Sequence, residues 1–360
     1  MSRITEIRAW KQSVRLKRPY TIASGTRSQV DLMYLRLVDD DGHVGLGSAS
    51  PAAGVTGETA EACLNALQSN ALQGLQGEDP RRLGRLLRHL EEHLAATPAA
   101  RAAADLALHD LFARRLGVPL VDLLGRRRRD PLPTSITLGI QGLEDTLEEA
   151  EEYLAQGFRC LKVKIGLDFE QDRERLHRLR EAVGPEVGIR VDANQGYSYD
   201  DTLRLLRLVT PLDLELVEQP LRTELLSSQR RLPPTFRLWL AADEGVLTPR
   251  HAAQLLRPPA ACGTLVLKLM KHGGVGPALD IAAVAEASGA ELMWGCMDES
   301  AISIAAALHA AYACPHTRFL DLDGSFELAD DPATGGFELR DGRLHLTAAP
   351  GLGVSLRDEA

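Results

Sequence analysis

The sequence has few cysteines, few aromatic residues and no long uninterrupted apolar segment. Its five cysteines are scattered and form no Cys-x-x-Cys pair, which is typical of reduced thiols and argues against a disulfide framework. The N-terminus lacks an apolar signal core. The longest run of small apolar residues, 301–314, is too short to span a bilayer. These absences favour a cytoplasmic protein.

Basic residues are also fewer than acidic residues. The chain carries 41 Lys and Arg residues against 50 Asp and Glu residues, which gives a formal net charge of −9. This balance argues against a nucleic-acid or anionic-membrane partner. The arginine run at 126–129 is short and local, so we interpret it as a solvated loop. We therefore expect a small-molecule substrate as the partner, and a homo-oligomer is compatible with the sequence.

The first third of the chain places strands before helices. Residues 3–16 and 30–38 alternate apolar and polar side chains, as expected for an antiparallel meander. Glycine, proline and serine residues predict one loop at 18–26 and a second at 50–58. Leu- and Ala-rich helical periodicity follows the second loop. Strands followed by helices predict an α+β unit that is distinct from the rest of the chain.

From residue 133 onwards, strands and helices alternate without a linker or a low-complexity segment. This alternation indicates a parallel α/β barrel. We predict an α+β capping domain at 1–125, a barrel domain at 126–325 and a tail at 326–360 that packs back on the cap. The predicted barrel strands are 135–138, 160–164, 188–192, 215–218, 238–243, 264–268, 291–295 and 318–322.

Three carboxylates recur at even intervals, each at the end of a predicted strand. Asp192, Glu218 and Asp243 are 26 and 25 residues apart, about the length of one strand, one helix and two loops. The C-terminal ends of barrel strands lie at one rim, so these side chains should share a pocket. Three carboxylates without a companion His or Cys suit Mg²⁺, although a single Asp in such a place usually caps the next helix.

Lysines lie on two of the predicted strands. Lys162 and Lys164 occupy alternate positions of one strand, so their side chains point the same way. Lys268 ends a strand four places further round an eight-strand ring and therefore approaches the pocket from the opposite side. We expect nearby positive charge to lower the lysine pKa towards neutrality, which would make Lys162 and Lys268 a pair of bases. Two such bases fit removal of a proton next to a carboxylate and its return to either face.

These motifs together resemble the enolase superfamily, in its muconate-lactonizing subgroup. The resemblance implies a modified TIM barrel, (β/α)₇β, with a cap whose loops close over the substrate and which the C-terminal tail completes. It also implies one Mg²⁺ per subunit, with Mn²⁺ as a substitute, and places Lys164 against the substrate and Asn194 and Glu244 behind the metal ligands. The matching residues are Lys162-Val-Lys164, Asp192-Ala-Asn194, Glu218-Gln-Pro220, Asp243-Glu244 and Lys268.

The last predicted strand narrows the choice of reaction. Asp321 and Asp323 share one face of it and resemble the Asp-x-Asp motif with which the family's dipeptide epimerases bind the substrate's α-ammonium group. A carboxylate pair is a good receptor for such a cation. The resemblance therefore implies an isomerase that epimerises the C-terminal residue of a dipeptide through an enediolate. The alternatives are an o-succinylbenzoate synthase or N-acylamino acid racemase, a muconate cycloisomerase, and a catalytically inactive metal-binding barrel.

Two positions bear on the second residue of the substrate. Ser24 aligns where glutamate-accepting epimerases carry an arginine; Arg18 and Arg27 flank it, but the sequence does not assign either to the pocket. Asp298 follows the seventh strand and adds negative charge near the rim. Because an unpaired buried carboxylate is costly, we expect a hydrophobic or cationic second residue and not an acidic one, with a slight preference for an apolar side chain.

Overall fold

The computed structural model of the chain describes residues 2–22, 25–126 and 130–357. Its N-terminal part is an antiparallel sheet covered by helices. Within the described residues, the sheet has the strands β1 (Ile4–Ile22), β2 (Gly25–Asp39) and β3 (Val44–Ala49). The helices that follow are α1 (Ala60–Leu67), α2 (Asn70–Gln73), α3 (Leu83–His93), α4 (Pro98–Leu116) and α5 (Leu120–Leu123).

The loop predicted at 18–26 is wrong, because most of this segment forms the end of a long hairpin. β1 continues to Ile22, and its last residues pair with the start of β2, with Tyr20 opposite Arg27. Pairing across the two strands satisfies backbone groups that a loop would leave to water. The glycine, proline and serine residues of this segment predict a loop, because local composition does not show that two segments pair as strands. The hairpin end therefore carries Arg18, Tyr20 and Arg27 on a pair of strands.

Strand β3 lies directly on helix α4 because two of its residues lack a side chain. A Cβ atom at Gly45 would lie 2.2 Å from the carbonyl oxygen of Ala107, and one at Gly47 would lie 1.9 Å from that of Ala103. Contacts this short cannot form in a close-packed interior, so glycine is required at both positions. The sheet is thereby fixed on the helix at backbone distance.

The second part of the chain is a parallel barrel with helices between its strands. Ser135 closes the ring, because its backbone N–H donates to the carbonyl of Leu320 at 3.1 Å. In the described chain the barrel strands are β4 (Ile136–Leu138), β5 (Cys160–Lys164), β6 (Gly188–Asp192), β7 (Leu214–Glu218), β8 (Leu240–Ala242), β9 (Thr264–Leu267), β10 (Glu291–Gly295) and β11 (Thr317–Asp321). The helices are α6 (Leu143–Ala155), α7 (Phe169–Val183), α8 (Tyr199–Leu206), α9 (Leu226–Gln229), α10 (Pro234–Leu238), α11 (Pro249–Leu256), α12 (Leu269–His272), α13 (Val275–Ser288) and α14 (Ala301–Ala313).

The predicted modified TIM barrel with an N-terminal cap is confirmed. Strands 160–164, 188–192 and 291–295 have the predicted bounds. The strand predicted at 238–243 is shorter, Leu240–Ala242, because the proline at position 234 begins a short helix that runs to residue 238. The limits proposed for the three domains stay predictions.

The C-terminal tail contacts both the cap and the barrel. The backbone N–H of Leu352 donates to Asp110 on α4 at 2.7 Å, and Arg114 on the same helix donates to the carbonyl of Val354. On the barrel side, the Tyr312 hydroxyl of α14 donates to the carbonyl of Leu344 at 2.6 Å. The tail strands are β12 (Ala333–Gly335), β13 (Phe337–Arg340), β14 (Arg343–Leu346) and β15 (Val354–Leu356).

Two predictions from the composition can be compared with the structure. The five cysteines, all of which lie in described segments, are unpaired thiols, as their scatter in the sequence predicts. Among the helices that the structure describes, none is both long enough and apolar enough to cross a membrane.

Candidate active site

Charged residues from neighbouring barrel strands meet at the C-terminal rim. β5, β6 and β7 end at Lys164, Asp192 and Glu218, which are aligned with one another across the sheet. Asp243 directly follows β8, and Lys268 directly follows β9. Strand ends of a parallel barrel share one rim, so the even spacing in the sequence does bring these side chains together.

Lys162 lies inside the barrel among three carboxylates. Its Nζ atom is 2.7 Å from Asp321 Oδ2, 2.8 Å from Glu218 Oε2 and 3.2 Å from Asp192 Oδ2. Burial by itself would lower the pKa of Lys162, but the three carboxylates outweigh burial and raise the pKa well above its usual value. The lysine pKa near neutrality stays a prediction, because it depends on a cation bound beside Lys162, whereas the nearest charges of the chain itself are negative.

Lys164 points to the same side of the strand and connects the rim to residues behind it. Its Nζ atom donates to Asp192 Oδ2 at 2.7 Å and to Asn194 Oδ1 at 3.1 Å. The Asn194 amide in turn donates to Glu244 Oε1 at 3.3 Å. The two residues predicted to lie behind the metal ligands thus form a chain of hydrogen bonds that begins at Lys164.

Lys268 lies on the opposite side of the ring and pairs with Asp243 at 2.7 Å. Burial would lower the pKa of Lys268, but Asp243 and then Glu218 raise it above its usual value. A fourth lysine, Lys271 on α12, donates to the backbone carbonyl of Asp243 at 2.7 Å and contacts its carboxylate. The next residue, His272, is buried at the end of the same helix.

The three carboxylates at the rim suit a divalent cation. The surroundings of Glu218 test whether such a cation fits here. Both of its carboxylate oxygens are buried without a hydrogen bond; the Lys162 ammonium is near one of them but not in a hydrogen-bonding direction. Burial and then the negative charge of Asp192 raise the pKa of Glu218 to about 8. A buried carboxylate with free lone pairs is costly unless a cation uses them. Asp192, Glu218 and Asp243 therefore fit the role of Mg²⁺ ligands.

The three carboxylates do not form a closed ligand cluster in this structure. Within the described residues, the group of three or more possible metal-binding side chains whose ligand atoms all lie within 4.8 Å of one another is formed by Asp39, Asp41 and His43 in the cap. There, Arg115 pairs with both aspartates, so that group already has its counter-charge. At the barrel rim, the ammonium groups of the lysines lie between the carboxylates and balance them. Buried carboxylates repel one another, so they come close together only when a cation binds between them.

Asp321 and Asp323 have different surroundings, although both line the cavity. Asp321 accepts from Lys162 and, at 2.6 Å, from the hydroxyl of Ser135. Asp323 accepts from the backbone N–H of Thr137 at 2.8 Å. Burial and then the nearby charge of Asp321 raise the pKa of Asp323 to about 6. The predicted pair thus lies at the rim, with one member already paired to a lysine.

The cap hairpin forms the outer wall of the cavity. The Tyr20 hydroxyl donates to Asp298 Oδ2 at 2.9 Å, and Arg18 and Arg27 also line the wall. Burial raises the pKa of Asp298, while the Tyr20 hydrogen bond and then the charge of Arg27 oppose this effect. Ser24, which we predicted to face the substrate, lies outside the described residues. The space in this cavity, with its open mouth included, is about 1080 Å³.

Sequence reasoning missed Lys271 and the hairpin residues. Lys271 precedes a histidine and two glycines, and this composition is typical of a turn rather than of a buried helix. Tyr20 was included in a predicted loop that ended just before Arg27, although these two residues face each other across a strand pair. Alternation of side chains on the two arms of the hairpin is the signal that could have assigned them to one surface.

Comparison with known proteins gives matches along almost the whole chain. Residues 4–125 match the mandelate racemase / muconate lactonizing enzyme N-terminal domain, and residues 145–360 match the enolase C-terminal domain-like family. An L-Lys-D/L-Arg epimerase from Methylococcus capsulatus is 54% identical over 99% of this chain and 100% of its own length. An L-Lys-D/L-Arg epimerase from Desulforapulum autotrophicum is 50% identical over 98% and 99%, respectively.

A solved structure gives the same result. The crystal structure of the dipeptide epimerase from Methylococcus capsulatus, complexed with Mg and the dipeptide L-Arg-D-Lys, matches with a TM-score of 0.96 at 54% identity. The match covers 98% of this chain and 99% of that one. These relatives are epimerases and share both domains with this chain over nearly its full length. The protein is therefore an isomerase and belongs to the mandelate racemase/muconate lactonizing enzyme family of the enolase superfamily.

Proposed function

We propose that this protein is a Mg²⁺-dependent dipeptide epimerase, which inverts the α-carbon of the C-terminal residue of its substrate. The observation that carries this proposal is the position of two buried lysines on opposite sides of the barrel. Lys162 is on β5, and Lys268 follows β9, four strands further round the ring. Two bases that face each other can treat the two faces of one α-carbon separately.

The reaction requires one lysine to take the α-proton and the other to return a proton on the opposite face, through an enediolate. Mg²⁺ held by Asp192, Glu218 and Asp243 supplies positive charge that stabilises the negative charge of the substrate carboxylate as the proton leaves. Lys164 adds a further fixed positive charge to this side of the cavity. Lys162 and Lys268 both contact carboxylates at 2.7 Å, which holds their ammonium groups in place before the substrate arrives.

Asp321 and Asp323 support a substrate with a free amino group. Both carboxylates line the cavity, and a carboxylate pair suits an α-ammonium group. Substrates of an N-acylamino acid racemase or of an o-succinylbenzoate synthase carry no such group. The dipeptide would therefore lie with its amino end at β11, its terminal carboxylate at the metal site and the α-carbon of its second residue between the lysines, and these anchors would set its length.

Asp298 supports a cationic second residue. Its carboxylate is largely buried at the cap, with the Tyr20 hydroxyl as its hydrogen-bond donor, and a lysine or arginine side chain would give it a counter-charge. The two relatives named above act on Lys-Arg dipeptides by their names. For this reason we now favour a cationic over an apolar side chain, which reverses the slight preference drawn from the sequence.

The test is hydrogen exchange with defined dipeptides in D₂O and Mg²⁺. Kcat/KM for α-deuterium incorporation is compared for L-Lys-L-Arg, L-Ala-L-Lys, L-Ala-L-Phe, L-Ala-L-Leu and L-Ala-L-Glu, each with its N-acetylated form. We expect the dipeptides with a cationic second residue to react fastest and N-acetylation to reduce the rate. A clear preference for L-Ala-L-Glu would contradict the role of Asp298, and equal rates for the N-acetylated set would contradict the role of Asp321 and Asp323.

A further inference from the structure

The cavity has a second acidic wall, on a different element from Asp298. Glu149 and Tyr153 of α6 line it together with Glu327, which follows β11. We call these three residues the acidic recess. The catalytic proposal uses none of them, yet they line the same cavity as Lys162 and Lys268. Their chemistry therefore bears directly on what the cavity can hold.

Glu149 shows that the recess accepts a guanidinium group. Its carboxylate is buried and accepts from the Tyr153 hydroxyl at 3.0 Å and from the Gln141 amide at 2.5 Å. Arg18 of the cap hairpin places Nη1 3.2 Å from Glu149 Oε1 and Nη2 2.6 Å from Glu152 Oε2. Glu152 is exposed, and the Arg18 side chain is 44% exposed. Arg18 can therefore leave Glu149 and keep its outer partner.

Glu327 has a carboxylate that faces the recess without a counter-ion. Among the residues that the structure describes, no lysine, arginine or histidine nitrogen lies within 4.0 Å of it, and the nearby Lys17 ammonium donates to the carbonyl of Phe326 instead. A half-buried carboxylate of this kind is stabilised by any cation that reaches it. The chain supplies only the more distant charges of Lys17 and Arg18, which partly oppose the effect of burial on the pKa of Glu327.

The recess adjoins the place proposed for the substrate's amino group. The backbone N–H of Thr137 on β4 donates to Asp323, and the chain continues from β4 into α6, which carries Glu149 and Tyr153. Glu327 follows Asp323 by one short turn of chain. Asp323 also lines the same cavity as Glu149, Tyr153 and Glu327, so an amino acid whose α-ammonium group contacts Asp323 can extend its side chain towards the recess.

We propose that the acidic recess binds the cationic side chain of the first residue of the dipeptide, with Glu327 as its free acceptor and Arg18 as an internal competitor for Glu149. This inference rests on the proposed dipeptide epimerase function and adds a second cation site to it. The cavity would then hold two cationic side chains at separate carboxylates, Asp298 for the second residue and the recess for the first.

The test compares L-Lys-L-Arg with L-norleucyl-L-Arg, which has the same first side-chain length without the charge. Kcat/KM for α-deuterium exchange is measured for the wild type and for Glu327→Gln. Because a hydrogen bond to a charged group contributes enough for about a tenfold effect or more, we expect Glu327→Gln to lower the preference for lysine at the first position about tenfold, mainly through KM. Arg18→Met should raise that preference, since it removes the competitor.

The control is Glu151→Gln, which removes the same charge from an exposed position of α6 and should leave the preference unchanged. L-Lys-L-norleucine serves as a second control, because selectivity at the second residue should not respond to Glu327→Gln. If Glu327→Gln slows both first residues equally, or leaves the preference intact, the recess is not the binding site. Absence of exchange with every dipeptide would instead contradict the proposed function itself.

Discussion

Two buried carboxylates, one in the cap and one at the barrel rim, have opposite environments. Asp110 on α4 accepts from the backbone N–H groups of Leu46 at 2.9 Å and Leu352 at 2.7 Å, and from Arg114 Nε at 2.9 Å. Glu218 is equally buried, but neither of its oxygens accepts a hydrogen bond. Burial raises the pKa of both groups.

The difference separates a structural carboxylate from a functional one. Asp110 joins β3, α4 and the tail, and every one of its contacts is to this chain. Glu218 keeps its lone pairs free at the cost of stability, as expected of a group that binds a ligand. The predictions below test this contrast, from the largest expected effect to the smallest.

Removal of either lysine should have the largest effect, and this effect is on activity. We expect Lys162→Ala and Lys268→Ala each to reduce epimerisation by a factor of about 10³–10⁴, since each removes a general acid–base group. One variant should still exchange the α-proton of one stereoisomer, because each lysine acts on one face. Exchange in D₂O, measured separately for the L,L and L,D dipeptides, checks this. Equal residual exchange of both stereoisomers would contradict a two-base mechanism.

Asp110→Ala should act on stability and not on chemistry. It leaves Arg114 and two buried backbone N–H groups without their acceptor, so we expect the free energy of unfolding to fall by about 3–5 kcal/mol. Kcat/KM per folded molecule should stay at the wild-type value. Urea unfolding and an active-site titration measure the two quantities. A stable but inactive variant would show that Asp110 is not purely structural.

Glu218→Gln is the matched change at the rim, and it should reverse this pattern. Without metal, we expect its unfolding free energy to equal or exceed that of the wild type, because burial and the charge of Asp192 outweigh Lys162 and disfavour the ionised Glu218 carboxylate. Mg²⁺ at about a hundred times its Kd should stabilise the wild type by about 2.7 kcal/mol and the variant by much less. Thermal unfolding with Mg²⁺ and with EDTA checks both. If Mg²⁺ stabilises the two proteins equally, Glu218 is not a metal ligand.

His309 offers an intermediate case, at the contact between barrel and cap. Its Nδ1 accepts from the backbone N–H of Val121 at 3.0 Å, while Nε2 is buried without a partner. Burial lowers the pKa of His309 from 6.5 to about 4, so the unfolded chain binds a proton that the folded chain does not. Stability from this group is therefore present above pH 6.5 and is lost as the pH falls.

As the pH falls from 6.5 to 5, protonation of His309 in the unfolded chain should lower the free energy of unfolding of the wild type by about 2 kcal/mol. In His309→Asn, whose side-chain oxygen can still accept from Val121, the unfolding free energy should fall less over the same range. Urea unfolding at a series of pH values measures this difference. Parallel curves for the two proteins would show that His309 does not titrate in this way.

The barrel could be predicted closely because each strand carries its own signal. Cys160–Lys164 and Gly188–Asp192 are short apolar runs that end in a charge, and their ends define the rim. What could not be predicted depends on neighbours that are distant in sequence. The hairpin end is a strand because Tyr20 faces Arg27. The pKa of Lys162 is raised because Asp321, Glu218 and Asp192 surround it.

The same limit applies to the site. Even spacing indicates which carboxylates meet, but it does not show that ammonium groups separate them. Lys271 lies in a segment with the composition of a turn, and only the packing of α12 brings it to Asp243. Arg18 and Glu149 are 131 residues apart, so no local pattern links them.

The glycines at positions 45 and 47 have a consequence for how this enzyme can acquire new substrates. Because they fix β3 on α4 at backbone distance, the base of the cap tolerates little sequence change, whereas the hairpin end carries Arg18, Tyr20 and Arg27 on a strand pair away from that contact. Variation at the hairpin can therefore diversify substrate choice while the lysines and carboxylates of the barrel are inherited unchanged. A library restricted to these three positions is the natural starting point for directed evolution of specificity.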